Sequence, residues 1–249
     1  LAGETLTVVL QKRQPEQWEG EPFCGGGNVI SNVIGNRIAN DINYYLIEMF
    51  KAFVYDSWEP PQHITEEEYT TIKNNVTSYP PNLVGFVCIG CSFAGRWFGG
   101  YARYTKKDGS GPIRNQHRNY YEETLRNLLK QIPKLRGVTF TNKQYNELAM
   151  PNNSIIYCDP PYAGTTGYGT MSNFDHPMFW NWIRNLNNQN HKVYVSEYNA
   201  PVDFECVWSR SRSITINANK IRGEKVAVEK LFIQRDSLTF YEYHKEDLY

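Results

Sequence analysis

Apolar positions along the chain switch between two spacings, and the switches mark out alternating helices and strands. Leu6 to Gln14 reads as the end of a helix, and Val29, Ile30, Val33 and Ile34 fall at helical spacing. Arg37-Ile38-Ala39-Asn40 is a short strand ending at Asp41, and Tyr44 to Phe53 is a further helix. Pro60, Pro61, Pro80 and Pro81 break the pattern, with a short polar helix between them from Thr65 to Lys73. Asn119 to Gln131 is amphipathic, with Leu125, Leu128, Leu129 and Ile132 to one side. Ser154 to Cys158 has the continuous apolar run of a buried strand. Phe179, Trp180, Ile183 and Leu186 mark a helix, and Lys192 to Ser196 the next strand. Two β-rich segments, Cys206 to Asn217 and Leu231 to Gln234, flank the loop Ala218 to Lys225. Strands alternating with helices predict an α/β fold with helices on both faces of the sheet. There is no internal repeat and no low-complexity tract.

Two punctuations in this pattern carry chemistry. The first is Glu21-Pro22-Phe23-Cys24-Gly25-Gly26-Gly27-Asn28, a glycine-rich turn followed by a strand that ends in an acid, Asp41. Glycines let backbone approach a ligand closely, and an acid after the second strand sits where a ribose hydroxyl would. The spacing is not GxGxxG and there is no Walker lysine, which disfavours a pyrophosphate ligand. The second is Asp159-Pro160-Pro161-Tyr162 directly after the strand Ser154 to Cys158. Two prolines fix φ and remove two N–H groups, so the chain leaves the sheet in a rigid turn. A carboxylate, the Pro160 carbonyl and an aromatic ring are then held together. Two acceptors beside a flat ring suit a planar heterocycle with an exocyclic amino group. The same tetrapeptide also reads as a plain Asp-Pro turn, since Asp before Pro commonly starts one.

Composition narrows the class. The chain of 249 residues is 41% hydrophobic and 14% aromatic, enough for one large domain with a packed core. Lys+Arg and Asp+Glu are both 26, so net charge says nothing about an anionic partner. Its distribution does, because residues 96–136 hold ten Lys/Arg and three Asp/Glu. Arginines interleave there with glycines and aromatics, from Arg96-Trp97-Phe98 through Arg103, Lys106, Lys107, Arg114 and Arg118. Such a segment combines phosphate contacts with stacking surfaces, the pattern of nucleic-acid binding. Arg210, Arg212, Lys220, Arg222 and Lys225 form a second basic group. No apolar run approaches membrane-spanning length, so a soluble cytoplasmic protein is expected. The five cysteines are scattered; Cys88 and Cys91 have CxxC spacing without a second pair, which reads as free thiols rather than zinc ligands. His176, alone before Pro177, reads as a loop residue.

Seven stretches, in order, resemble the Dam-type DNA adenine N6-methyltransferases of the α group, especially phage and prophage members. They are Glu21 to Val29, Ala39 to Asn43, Ser92 to Tyr104, Asn119 to Leu135, Ser154 to Gly169, Val195 to Trp208 and Glu229 to Phe232. The most specific are Asp-Pro-Pro-Tyr after a strand and the run from Ser92 to Arg103. The resemblance implies a Rossmann-like methyltransferase fold with a mixed sheet. It places the catalytic domain in residues 1–55 and 135–249, with a mostly helical DNA target-recognition domain inserted as 56–134. It implies S-adenosylmethionine as cofactor, held by Glu21, Phe23, Gly25, Gly27, Asp41, Gln144 and Asp159. Asp159, Pro160 and Tyr162 would bind and activate a flipped-out adenine. Arg96, Arg103, Lys106, Lys107, Arg114, Arg118, Lys220 and Arg222 would contact double-stranded DNA. No metal is implied, nor any membrane, and a monomer or weak dimer is expected.

Two departures from the family pattern stand out. Its Gly-Ser-Lys or Gly-Gly-Lys segment falls upstream of the first matching stretch, so this chain, starting at Leu1, is expected to be a fragment. Where the family often has Asp-Tyr or Asp-Phe, this chain has Gln144-Tyr145; the Gln carbonyl can accept one hydrogen bond, but the charge is gone. Two alternatives stay open at this level. One is a DNA-binding protein that keeps the fold without turnover, and the other is a cytosine-N4 or RNA amino-methyltransferase. A leading Asp rather than Ser favours adenine over cytosine.

Overall fold

The computed structural model describes residues 2–11, 13–103, 120–163, 174–214 and 225–235. Seven strands form one sheet: β1 (Glu19–Glu21), β2 (Arg37–Asn40), β3 (Val138–Thr141), β4 (Ile155–Cys158), β5 (Lys192–Glu197), β6 (Phe204–Ile214) and β7 (Lys225–Gln234). Their order is β3-β2-β1-β4-β5-β7-β6. The first five are parallel, while β7 runs antiparallel to β5 and pairs with β6 in a hairpin. The sheet is therefore mixed, as expected. The order reverses between β1 and β4, and loops at the carboxyl ends of strands at such a point enclose a crevice.

Among the described residues six α-helices accompany the sheet: α1 (Ala2–Leu10), α2 (Tyr44–Tyr55), α3 (Glu66–Asn74), α4 (Pro81–Gly90), α5 (Tyr120–Leu135) and α6 (His176–Asn188). Alternation along the strands divides the core between two faces. Ile156, Cys158, Val193 and Val195 pack against Phe179, Trp180 and Ile183 of α6. Ile155, Tyr157 and Tyr194 point to the opposite face and meet Val9 of α1. On that same face Ala39, Val138 and Phe140 join Phe50 of α2, Phe86 of α4 and Leu128 of α5. Phe50 and Phe140 stack at 5.4 Å. Glu19 and Glu21 share this face through the register Glu19↔Arg37 and Glu21↔Ala39, so they occupy the seam between two apolar clusters.

Local chemistry explains the helix starts. Asn43 accepts Leu46 N–H at 3.3 Å to cap α2. Thr65 and Glu68 exchange side-chain-to-backbone bonds in a capping box before α3. Asp175 accepts Met178 N–H at 2.8 Å to cap α6. Three expectations need correction. Pro81 does not break the chain; it is the first residue of α4, where a missing N–H costs nothing. Val29 to Ile34 is not an α-helix but a single 3-10 turn at Ile30–Asn32, and Ile34 is 85% exposed. The Arg37 guanidinium is the reason: it gathers the carbonyls of Ile30, Val33, Gly35, Lys134 and Arg136 around itself. Those carbonyls are thereby satisfied without a helix. On α5, Leu129 faces outward at 54% exposure, and Leu128 takes the buried position.

Candidate active site at the carboxyl edge of the sheet

The sequence-predicted site residues follow the carboxyl ends of parallel strands and so share one edge of the sheet. Glu21 ends β1 and Asp41 follows β2. Gln144 lies in the loop after β3, and Asp159 follows β4.

The glycine loop is tied to the acid after β2. Asp41 Oδ2 accepts Gly25 N–H at 3.0 Å, and Oδ1 accepts Asn43 N–H at 2.9 Å. Burial raises the Asp41 carboxyl, while these two N–H groups oppose the shift. Each oxygen keeps a lone pair for a further donor. Gly25 has φ +46, and a Cβ added there would meet nothing within 4 Å, so the loop faces open space. Gly27, at φ +66, backs onto Phe50 and Gln131 instead. It shapes the turn rather than lining that space.

Glu21 is fully buried, and its Oε1 has no hydrogen-bond partner. Burial raises its carboxyl well above the usual range, reinforced by the nearby Glu19 and Asp159 and opposed by the Ile30 N–H. Burial favours its neutral acid form, which can both donate and accept. Phe23 packs at 5.4 Å from the Tyr145 ring and 5.9 Å from Phe174. Gln144 is exposed beside this cluster, and its position is fixed by Asn40. The Asn40 amide donates to the Pro22 and Lys143 carbonyls, and its Oδ1 accepts Lys143 N–H, each at 3.0 Å. Asn40 was not among the expected site residues. A buried amide at a strand end, just before an acid, was the available signal. A loop with open space, an orphan carboxyl oxygen, an aromatic wall and a second carboxylate fit a ligand with amino, hydroxyl and planar groups.

Asp159 lies at the mouth of the crevice, open to solvent on one side and crowded by protein on the others. That crowding pushes its carboxyl up to about 6; Glu229 and Glu197 add to the rise, and a hydrogen bond from the Tyr162 phenol opposes it. It is chiefly ionised at neutral pH. Pro160 is buried, and the Tyr162 ring meets Tyr198 edge-on at 4.8 Å. Glu197 and Glu229 join Asp159 from β5 and β7. His176 is not a loop residue. It opens α6 and places Nδ1 3.8 Å from Glu197 Oε1.

Of the expected DNA contacts, Arg96 is exposed on a turn. Arg103 is engaged by Glu66 in a two-pronged ion pair. Lys106, Lys107, Arg114, Arg118, Lys220 and Arg222 lie outside the described residues. Trp97 is half-buried and Phe98 buried, in line with core packing. Cys88 and Cys91 are buried free thiols. Among the described residues, no three His, Cys, Asp or Glu side chains are grouped to hold a metal, and no helix is long and apolar enough to cross a membrane.

Comparison with known proteins finds relatives of this chain. A DNA adenine methylase of Vibrio cholerae is 29% identical over 185 residues, covering 68% of this chain and 64% of the relative. Modification methylase StsI of Streptococcus sanguinis is 28% identical over 169 residues, covering 58% of this chain and 24% of the relative. Type II methyltransferase M.FokI of Planomicrobium okeanokoites is 28% identical over 166 residues, covering 58% and 25%. The chain thus spans a little under two thirds of the Vibrio relative and about a quarter of the two longer methylases. Residues 10–218 match the model of one family throughout. The chain belongs to the D12 class N6 adenine-specific DNA methyltransferases.

Proposed function

We propose that this protein methylates the N6 amino group of adenine in double-stranded DNA, using S-adenosylmethionine. The observation that carries the reading is the Asp159–Pro160–Tyr162 turn, fixed beside a glycine loop and two carboxyl groups at the sheet's switch point. Within the family, the run Ser92 to Arg103 favours a Dam-type, phage-like member. When bound, S-adenosylmethionine supplies an electrophilic methyl group on a positively charged sulfur. Glu21, Phe23, Gly25, Asp41 and Gln144 would hold it, with Gly27 shaping the loop.

The protein's own residues account for the rest. An amino group inside a duplex is out of reach, so the target base must leave the stack, at a cost of a few kcal/mol. The Tyr162 ring would stack on it and recover part of that cost. The N6 lone pair is delocalised into the purine and is a poor nucleophile. Asp159 carboxylate and the Pro160 carbonyl can each accept one N6–H. That pulls the nitrogen toward tetrahedral geometry and stabilises the positive charge growing on it, through fixed acceptors that need no reorganisation. Asp159 must be ionised for this. It need not remove a proton before attack.

Residues 56–134 would form the target-recognition domain, with Arg96 among its phosphate contacts. Arg103, held by Glu66, would reach phosphate only by leaving that carboxylate. Methylation of unmethylated genomic DNA, with sequencing that maps modified adenines, tests the assignment. Asp159→Ala should abolish transfer and leave cofactor binding, followed by calorimetry, largely intact. Full activity in that variant refutes the role of Asp159. Cofactor binding without transfer by the wild type would mark a DNA-binding protein that has lost turnover.

A further inference from the structure

We propose that Glu197 is a positioning residue for the Asp-Pro-Pro-Tyr turn, holding Tyr162 and Tyr198 together through their backbone. The inference rests on the methyltransferase reading for its catalytic consequence, and on geometry alone for the structural one.

Pro160 and Pro161 donate no backbone hydrogen bond, so the turn is poor in its own anchors. Ala163, directly after Tyr162, does have an N–H, and it donates to Glu197 Oε1 at 2.7 Å. The other oxygen, Oε2, accepts Tyr198 N–H at 2.6 Å. One carboxylate therefore grips the chain behind both members of the edge-on aromatic pair, whose rings are 4.8 Å apart at 87°. Glu197 is 1% exposed at the end of β5. A carboxylate so placed is costly unless its oxygens are paired, and here one accepts Ala163 N–H and the other Tyr198 N–H. Cutting either bond frees one wall of the stacking surface to rotate.

The same charge is felt by Asp159, which is faced by Glu21 from β1, Tyr157 from β4, Tyr162 from its own turn, Glu197 from β5 and Glu229 from β7. Removing Glu197's charge lowers the pH at which Asp159 ionises. That shift reports the nearness of the two carboxylates, and the hydrogen bonds to Ala163 and Tyr198 report the anchor.

Four measurements test the proposal on the full chain. Amide hydrogen exchange compares wild type with Glu197→Gln, which turns one acceptor into a donor. Exchange at Ala163 or Tyr198 should rise while the rest of β5 is unchanged, and unchanged exchange at both overturns the proposal whether or not the wild type is active. If the wild type transfers no methyl group to DNA, the function assigned above fails, and exchange still judges the anchor. If it is active, Glu197→Gln should lower the single-turnover rate by roughly 10²-fold, the scale of an ångström's misplacement. Cofactor affinity should stay within about twofold, since no cofactor contact is lost. The acid limb of its pH–rate profile should move down. A wild-type rate with an unmoved limb overturns the proposal. Should Glu197→Gln fail to fold, Tyr198→Leu removes the supporting ring and leaves the buried carboxylate alone. It should lower the rate in the same way, and an unchanged rate counts against the pair.

Discussion

Glu19 offers a direct measure of how the fold treats acid in its core. It sits in the middle of the sheet on β1, 0% exposed, and neither of its oxygens has a hydrogen-bond partner. Arg13 and Arg37 are near enough to attract it, yet their N–H groups are spent on the carbonyls of Gln17, Ile34 and Asn36, and of Ile30, Val33 and Lys134. Burial therefore wins, and the carboxyl rises from 4.5 to about 8. In the unfolded chain it releases its proton near the ordinary value. The folded state thus binds the extra proton between those limits, and stability falls as pH rises through that window. A shift of this size corresponds to on the order of 4–5 kcal/mol across the window. Glu21 lies two residues along and is raised in the same direction, so the two share the titration. Glu19→Gln keeps the shape and removes the ionisation. Urea unfolding at pH 5 should give wild type and variant similar free energies. At pH 8.5 the variant should be the more stable by about 2–4 kcal/mol, after allowing for the share carried by Glu21. Parallel stability curves for the two proteins over pH 5–8.5 would show that Glu19 is charged in the fold, and the reasoning would fail.

Two further outcomes follow from the geometry. Gly85→Ala would put a Cβ 2.1 Å from the Tyr45 carbonyl oxygen, where α4 crosses α2. The clash should outweigh Ala's better helix propensity and cost about 2–3 kcal/mol, lowering the melting midpoint by roughly 5–10 °C; an unchanged midpoint refutes the tight crossing. On the proposed role Asp159 acts ionised, and with its carboxyl at about 6 kcat/KM should be full above that pH. It should fall about tenfold per unit below it; a profile flat down to pH 5 removes Asp159 from the reaction.

The parts of this protein that could be read from sequence are those set by local covalent chemistry. Asp-Pro-Pro-Tyr after an apolar run ends a strand whatever surrounds it, and β4 ends at Cys158, directly before Asp159. Thr65 and Asn43 start helices through bonds to residues three positions on. Elements decided by distant partners were not legible. The helical spacing of Val29 to Ile34 gave way because Arg37 collects the carbonyls of Ile30 and Val33 and ties them to the end of α5. The strand Val138–Thr141 is only four residues long and is defined by pairing with β2. At the site, Glu197 and Glu229 join Asp159 because β5 and β7 follow β4 in the sheet. That proximity is a property of strand order, and no spacing along the chain encodes it.

On the proposed reaction that convergence imposes a balance. Positive charge grows on the amino nitrogen during transfer, so acceptors fixed around it are favourable. Yet each added carboxylate, and each layer of protein that excludes water, makes the essential one harder to ionise. Burial, Glu229 and Glu197 together carry Asp159 to about 6. A little more crowding would leave it protonated at neutral pH and deprive N6 of an acceptor. The Tyr162 phenol, donating to the same carboxylate, is the group that opposes the rise. Asp159 and Tyr162 are thus linked twice over. On the proposed function the ring would supply a surface for the base, while the hydroxyl favours the charged form of the acid. The acids also repel a polyanionic duplex, so attraction for phosphate must come from elsewhere. In this chain ten Lys/Arg against three Asp/Glu are concentrated in the segment 96–136. On the proposed function, those basic residues would supply the attraction for phosphate, and the acids at the carboxyl edge would supply the field that a cationic transition state requires.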